Sequence, residues 1–551
     1  MVIFMLNLRL DVSKFKVIIP ITIIFCISII SLFFSIFESR LNQDSHHWGL
    51  MYSMAVDIIN GLQPYLESLN PYGILAAPIN IIGLKLFGNH IVSLGIVYGI
   101  LYSASLIIIY FLLIQFLDKW LSVLSVLLIF LIHGHIIAPW PNYAYYFFLL
   151  LSLLLFTYSK KPFILFLSGS LMACGLLARN TNFLAALPAI FSYFFILYIS
   201  DKKLIARKNI VVFTLGLILP LSIFLLYLIK TSSFQLWSFQ TFQLFSVRFF
   251  SIEFGSTDTS LIKYPIFFYV LAKNIVRGLI FGDLRMKLYS FAFFNNLAII
   301  ALTLIRLKKG NFSYKDSYLL LFCLVSIFGY LGALHDYEIF RLQSSAALGI
   351  GILVYSLSQL SRLASNRRVK TLVLLVPCSF LVISLLSNFQ FVPQSSYFEP
   401  WNLNLIRSGT LREPKNVEIL KGKLFEEKRA KYYEEISRIL DEYSSQMKFV
   451  VNLTENSFIP FISNKYKRVQ IAPFFALSTL ESFRESEKTR YEPVLSNGQA
   501  ILFGYEGYKF EQFYGTNTTG STTEIPKNYR VIRVIENPDG NGKLVVAIPK
   551  N

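Results

Sequence analysis

The sequence predicts a mainly α-helical, polytopic transmembrane bundle of about eleven spans, followed by a soluble α/β domain outside the membrane. Three observations predict it. The 551 residues are 54% hydrophobic with a mean hydropathy of +0.55, and the apolar residues are gathered into long uninterrupted runs. A soluble domain averages about 45–50% apolar, more evenly spread. Lys and Arg recur in short loops on every second turn of the chain. From about Val392 the apolar runs shorten and prolines appear.

The runs that suit a span of about 20 residues are 17–37, 91–117, 121–138, 143–158, 163–178, 183–200, 210–230, 287–305, 318–334, 345–360 and 370–391. Arg9, Lys14 and Lys16 precede the first run, which is long for a signal peptide and has no A-x-A site after it. It is expected to be retained as a span. The run 74–87 is shorter, carries Pro78, Asn80 and Lys85, and is expected to be an interfacial or re-entrant helix. With the N-terminus inside, the inner loops hold K-K, K-K-L-I-A-R-K, R-L-K-K and R-R-V-K, as the positive-inside rule requires. This places loop 38–90 outside, along with a second outer segment at 231–285 and the C-terminal domain. The multi-pass chain is expected in the cell (inner) membrane. Its formal charge of +19 is then explained by topology, and nucleic acid is not an expected partner.

The predicted domains are 1–391 in the membrane and 392–551 outside it, with Pro393, Pro400 and Pro414 marking the linker. In the outer domain, 423–443 reads as a solvated helix, K-F-V-V-N-L-T as a strand, and 529–549 as a β-hairpin closed by E-N-P-D-G-N-G. Asn452, followed by Leu453 and Thr454, fits a glycosylation sequon, a pattern common by chance. Cys26, Cys174, Cys323 and Cys378 all lie in apolar runs and read as small hydrophobes.

The stretch from Glu38 to Gly73 carries the candidate chemistry. Asp44, His46 and His47 precede an amphipathic helix whose apolar stripe is Trp48, Met51, Tyr52, Ala55 and Ile59. Gly61 and Pro64 stop it. Such a helix is expected to lie flat at the interface and hold Asp44 at the water–lipid boundary. An acidic residue after the first span, then His, an interfacial helix, G-x-x-P-Y and a later Y-G resembles the first outer loop of GT-C-type glycosyltransferases. These are the relatives of the dolichyl-phosphate-mannose protein mannosyltransferases and the aminoarabinose transferases. The matching residues are Asp44, His46, His47, Gly61, Pro64, Tyr65, Tyr72 and Gly73.

The resemblance implies a membrane glycosyltransferase that moves a sugar from a polyprenyl-phosphate-linked donor to an extracytoplasmic lipid, glycan or protein by inverting displacement. Asp44 takes the role of catalytic base, for which a carboxylate at a low-dielectric boundary has its pKa raised. His46, His47, Tyr65 and Tyr72 fall to substrate binding. The stretch H-D-Y-E-I-F-R-L resembles the basic start of a late span, giving donor-phosphate contacts at Arg341 and His335 with help from Arg179. It departs from the family in lacking a Pro a few residues later, where Gln343 and Ser344 stand. Asp-Ser before a helix is also a common N-cap, and Arg341 is equally suited to an ion pair anchoring its loop. Adjacent histidines lack the i,i+4 spacing of a metal site; no metal ligand set is assigned, although a divalent ion between Asp44 and a phosphate is compatible with the stretch. His133 and His135, with Trp140, read as a packed outer loop, and Tyr143, Tyr145 and Tyr146 as an aromatic belt. The alternative function is an envelope polysaccharide or lipid transporter or polymerase without chemistry at Asp44.

Overall fold

A computed structural model describes residues 12–199, 207–243, 264–333, 339–364, 411–469, 481–506, 508–510, 518–538 and 542–550, with a few positions between 366 and 382. The chain opens with α1 (Val12–Leu41), whose Ile18, Ile19, Phe25, Ile29 and Phe33 face outward. Nothing in water would favour that arrangement; a lipid environment does. Two short helices follow, α2 (Ser45–Ile59) and α3 (Ala76–Phe87). The bundle continues with α4 (Val92–Leu113), α5 (Lys119–His133), α6 (Pro141–Tyr158), α7 (Pro162–Ala178), α8 (Phe183–Ile199) and α9 (Arg207–Lys230). Pro stands at the first position of α6 and α7, where its missing N–H costs no intrahelical bond.

In the second outer segment lie α10 (Phe234–Ser238), a π-turn at Phe239–Gln243 and α11 (Tyr264–Phe281). Then come α12 (Leu284–Lys308), α13 (Tyr314–Gly329), α14 (Ile339–Gln343) and α15 (Leu348–Leu363). The capping box of Ser313 and Asp316 starts α13, and Arg306 pairs with Asp316 at 2.7 Å across the turn from α12.

The first ten expected spans each fall on a helix; 370–391 lies mostly outside the described residues. Among the described residues, six helical segments are long and apolar enough to cross a membrane: Ile18–Leu41, Val92–Leu113, Asn180–Ile199, Arg207–Lys230, Leu284–Lys308 and Tyr314–Ala333. This is a multi-pass membrane protein, and the expected count of about eleven goes beyond what length and composition establish. Among the shorter apolar helices, α5 ends at Gly134 instead of running to 138, and α7 ends where Arg179 turns extended and Asn180 donates to the Tyr72 carbonyl at 2.7 Å.

The C-terminal region is α/β. Strands β1 (Phe449–Asn452), β2 (Lys467–Arg468), β3 (Ala500–Glu506), β6 (Tyr529–Glu536) and β7 (Lys543–Pro549) form one sheet in the order β2-β1-β3-β7-β6. The first three are parallel, and β7 runs antiparallel to β3 and to β6. A separate pair is β4 (Tyr508–Phe510) with β5 (Thr518–Ser521). Helices α16 (Glu427–Tyr443) and α17 (Glu481–Ser496) complete the region. The expected helix, strand and hairpin are all present. In the sequon, Asn452 Oδ1 accepts from the Thr454 hydroxyl at 2.7 Å, so its amide is engaged within its own loop.

This C-terminal region is bonded to the bundle. The Leu424 N–H donates to the Arg40 carbonyl (2.8 Å), Arg40 Nε to the Gly422 carbonyl (3.0 Å), Gln43 Nε2 to the Leu424 carbonyl (3.2 Å), and the Ile91 N–H to the Ile419 carbonyl (3.0 Å). Its largest footprint is on α2. Gly49 lies against Ser457 so closely that a Cβ would overlap it, Tyr52 meets Phe461 edge-on at 5.2 Å, and Asp57 is paired with Arg468. The expectation that α2 lies flat on lipid is therefore corrected. Trp48, Met51 and Ala55 are fully buried, and so are Gly49, Leu50, Ser53, Met54 and Asp57 on the other faces. Ile59, assigned to the stripe, is half exposed. The stripe does face protein, and a segment some 400 residues away covers part of it at Tyr52 as well as Gly49 and Asp57.

Candidate active site

Asp44 caps α2 from an extended backbone (φ −66°, ψ 96°). Its Oδ1 accepts from the backbone N–H groups of His46 (2.9 Å) and His47 (3.1 Å), which satisfies two of the helix's unpaired donors. Its Oδ2 accepts from His47 Nδ1 at 2.5 Å. The backbone N–H of Asp44 donates to Asn42 Oδ1 at 2.9 Å. Asn42, buried, is a hub: its Nδ2 donates to Glu38 Oε1 (2.8 Å) and to the Ile137 carbonyl (3.0 Å).

Burial pushes the Asp44 carboxyl up, but the charges of His47 and His46 and the hydrogen bonds from His47 outweigh it and hold it at about 2. The expected raised pKa is thus reversed, because a low-dielectric setting also strengthens the attraction to a histidine in contact. Asp44 is an ionised carboxylate with little affinity for a proton. The side chain beside it is His47. With Nδ1–H fixed on Asp44, its Nε2 is the remaining basic nitrogen, and the side chain keeps 19% of its surface exposed.

The His47 ring stands edge-on to Trp140 at 5.0 Å and to His46 at 4.9 Å. The guanidinium of Arg341 lies over the Trp140 ring at 5.0 Å and over Phe340 at 5.1 Å. Asp44, His47, Trp140 and Arg341 thus form one continuous row, drawn from the α1–α2 loop, α2, the loop before α6, and α14. Arg179 stands a step away. Its guanidinium lies over Tyr72 at 4.5 Å, and its loop, Asn180–Asn182, packs on Tyr330–Ala333. Gly332 sits between Asn182 and Ser345, whose hydroxyl donates to the Arg341 carbonyl at 2.7 Å. Gly73 is required there, since a Cβ would strike the Leu177 carbonyl.

Of the other expected residues, Tyr72 joins Arg179, whereas Tyr65 joins neither group. Tyr65 is wholly buried against Phe224 and Leu177 at φ +68°, and its carbonyl accepts from Gln240 at 2.9 Å. Its ring has no face left for a substrate, so its assignment to substrate binding is corrected to a packing role. His335 lies outside the described residues. His133 and His135 are buried, and burial holds His135 down at about 3, hence neutral. Trp140, Asn42 and Lys423 are the neighbours that sequence reasoning missed as site residues. Lys423 is fully buried and donates to the Asn42 carbonyl at 2.6 Å, with its ammonium 4.6 Å from the Trp48 ring. Burial pushes it down to about 7 against the opposing pull of Glu38 and Asp44.

A divalent ion does not fit these residues. Both Asp44 oxygens are engaged, and among the described residues no group of three or more His, Cys, Asp or Glu side chains is arranged to hold a metal.

No protein-family model matches the sequence, and no curated protein does. Among solved structures, the chain is similar to the Archaeoglobus fulgidus oligosaccharyltransferase. The form tethered to an acceptor peptide with an NVT sequon is 13% identical, with 92% of this chain and 75% of that one covered and a TM-score of 0.47. The form with Zn and sulfate is 13% identical, with 87% and 67% covered and a TM-score of 0.47. The apo form is 12% identical, with 92% and 75% covered and a TM-score of 0.41. At these scores the likeness carries no argument about activity, donor, acceptor or mechanism.

Proposed function

We propose that the chain is a membrane glycosyltransferase that moves a sugar from a polyprenyl-phosphate-linked donor to an extracytoplasmic hydroxyl acceptor on a lipid, glycan or protein. The observation that supports this reading is the row Asp44–His47–Trp140–Arg341, in which a carboxylate-held imidazole and a guanidinium each lie 5.0 Å from one indole ring. The acceptor oxygen attacks the anomeric carbon and gives its proton to His47 Nε2. Asp44 keeps the ring in the required tautomer and balances the imidazolium that forms. The bond from the anomeric carbon to the phosphate oxygen breaks, and its electron pair leaves with the polyprenyl phosphate. Arg341 is placed to stabilise that charge, with Arg179 further along the same corner. A single displacement inverts the anomeric centre.

The test is mass spectrometry of the glycoconjugates of a strain lacking this chain, complemented with the wild type, D44N, H47Q or R341M. Deletion should remove one sugar mass from a defined class of glycoconjugate. The wild type should restore it, and H47Q and D44N should restore less than about one hundredth of it, the usual scale for loss of general-base catalysis. Full restoration by H47Q would refute the base assignment; an unchanged glycoconjugate profile on deletion would refute the transferase reading.

A further inference from the structure

We propose that Lys423 is a positioning residue for the Asp44–His47 pair, a cation delivered by the outer domain that completes the site from a distant part of the chain. This rests on the reading above only in naming Asp44 and His47 as the reacting corner. Lys423 lies in the segment that joins the outer domain to α16, yet its side chain has no exposed surface. The residues on either side are tied down by backbone bonding, Gly422 accepting from Arg40 and Leu424 donating to the Arg40 carbonyl. The ammonium itself donates to the carbonyl of Asn42 and rests on the faces of Trp48 and Phe458, at 4.6 and 5.9 Å. Asn42 is the residue whose side chain fixes the backbone of Asp44 and ties it to Glu38. A fully buried ammonium is costly unless it is paired, and the charges it faces are the carboxylates of Glu38 and Asp44, against one cation, Arg429 of α16.

The charged and titratable groups around it are Glu38 on α1, Asp44 with His46 and His47 at the start of α2, Arg429 on α16, and His135 beside Glu38 at 3.8 Å. Removing the ammonium leaves the Asp44 carboxylate, in contact with His47, with one cation fewer to balance it, so the protonated imidazole is favoured. A packing role alone would not change that equilibrium.

The readout is the pH dependence of His47 acylation by diethyl pyrocarbonate, which attacks only the neutral ring. It is followed on the full-length protein in detergent by fragment-ion mass spectrometry that separates His47 from His46. K423M and K423Q should raise the midpoint by about half a pH unit or more, and K423R should return it towards the wild-type value. K423Q keeps a donor for the Asn42 carbonyl, so it tests the charge if K423M fails to fold. A folded K423Q with the wild-type midpoint overturns the proposal. So does failure of both neutral variants to fold while K423R folds, which would make the residue a structural anchor. The labelling uses neither donor nor acceptor, so a shifted midpoint alongside an unchanged glycoconjugate profile would reject the transferase reading and leave this one standing.

Discussion

The two short helices of the first outer loop look alike as sequence and end differently as structure. Both α2 and α3 follow α1 and are too short to cross a membrane, and both are amphipathic enough to be expected at an interface. Helix α3 leaves one side bare: Ile82 and Leu86 are exposed, no side chain caps its start, and it packs on α2 and α4. Helix α2 is capped by Asp44, buried on nearly all sides, and clamped between α4 and the outer domain. The difference lies outside both helices. Lys423, Ser457, Phe461 and Arg468 bring a second surface to α2. The helix that carries the candidate chemistry is the one the protein encloses.

The largest effect that would break this contrast is expected at the Asp57–Arg468 pair, where the side chains are 3% and 13% exposed. R468M leaves a buried carboxylate short of its cation, a change that typically costs about 3–5 kcal/mol. Thermal unfolding in detergent should show that loss, and proteolysis between 392 and 469 should accelerate. D57L/R468M should recover most of it, because an apolar pair removes the stranded charge. If R468M melts like the wild type, the clamp on α2 contributes nothing. A smaller effect is expected from Gly49→Ala on α2, where the added methyl meets the Cβ and backbone of Ser457, at a cost of about 1–3 kcal/mol. The matching change on α3, Gly83→Ala, meets a methyl of Val97 at 3.0 Å and the Ser93 carbonyl at 3.1 Å, looser contacts than those at Gly49. Its cost should be lower; equal costs would mean that α2 is no more enclosed than α3.

Local pattern explains why some of this was legible in the sequence. The bundle helices declare themselves through long apolar runs, and the hairpin of β6 and β7 through alternation around a Gly-rich turn. Strand β3, A-I-L-F-G-Y-E, is buried along most of its length, so it shows no alternation to read. At the site, Asp44 and His47 were visible because cap, base and helix are neighbours in sequence. Arg341 was visible because charge beside a span is rare. Trp140 passed for packing, since one aromatic in an outer loop has no spacing to distinguish it. Lys423 was read as one of many charges on a solvated helix, whereas that helix begins only at Glu427 and Lys423 is buried. Its partners lie nearly 400 positions away, and no periodicity links them.

The smallest expected effect concerns the cap itself and is a matter of pH. Asp44 is held at about 2 in the folded chain, below its ordinary 3.8. A carboxyl whose folded pKa is depressed contributes stability above its unfolded value and loses it as pH falls towards the folded one. The window is therefore from about pH 4 down to pH 2, and the shift corresponds to roughly 2 kcal/mol. Asn caps a helix about as well as Asp, so D44N should keep α2 in place while removing the charge attraction to His47. At pH 5 its melting temperature should lie below that of the wild type, and the margin should shrink as pH falls from 4 to 2. Helix α3, which has no carboxylate at its start, is the internal reference. Hydrogen exchange of its amides should show no difference between D44N and wild type across the same range, while the first turn of α2 exchanges faster in D44N above pH 4. A margin that stays constant down to pH 2 would mean that the Asp44–His47 contact adds no charge attraction to the fold, and the imidazole would then lack the support that the proposed proton transfer requires.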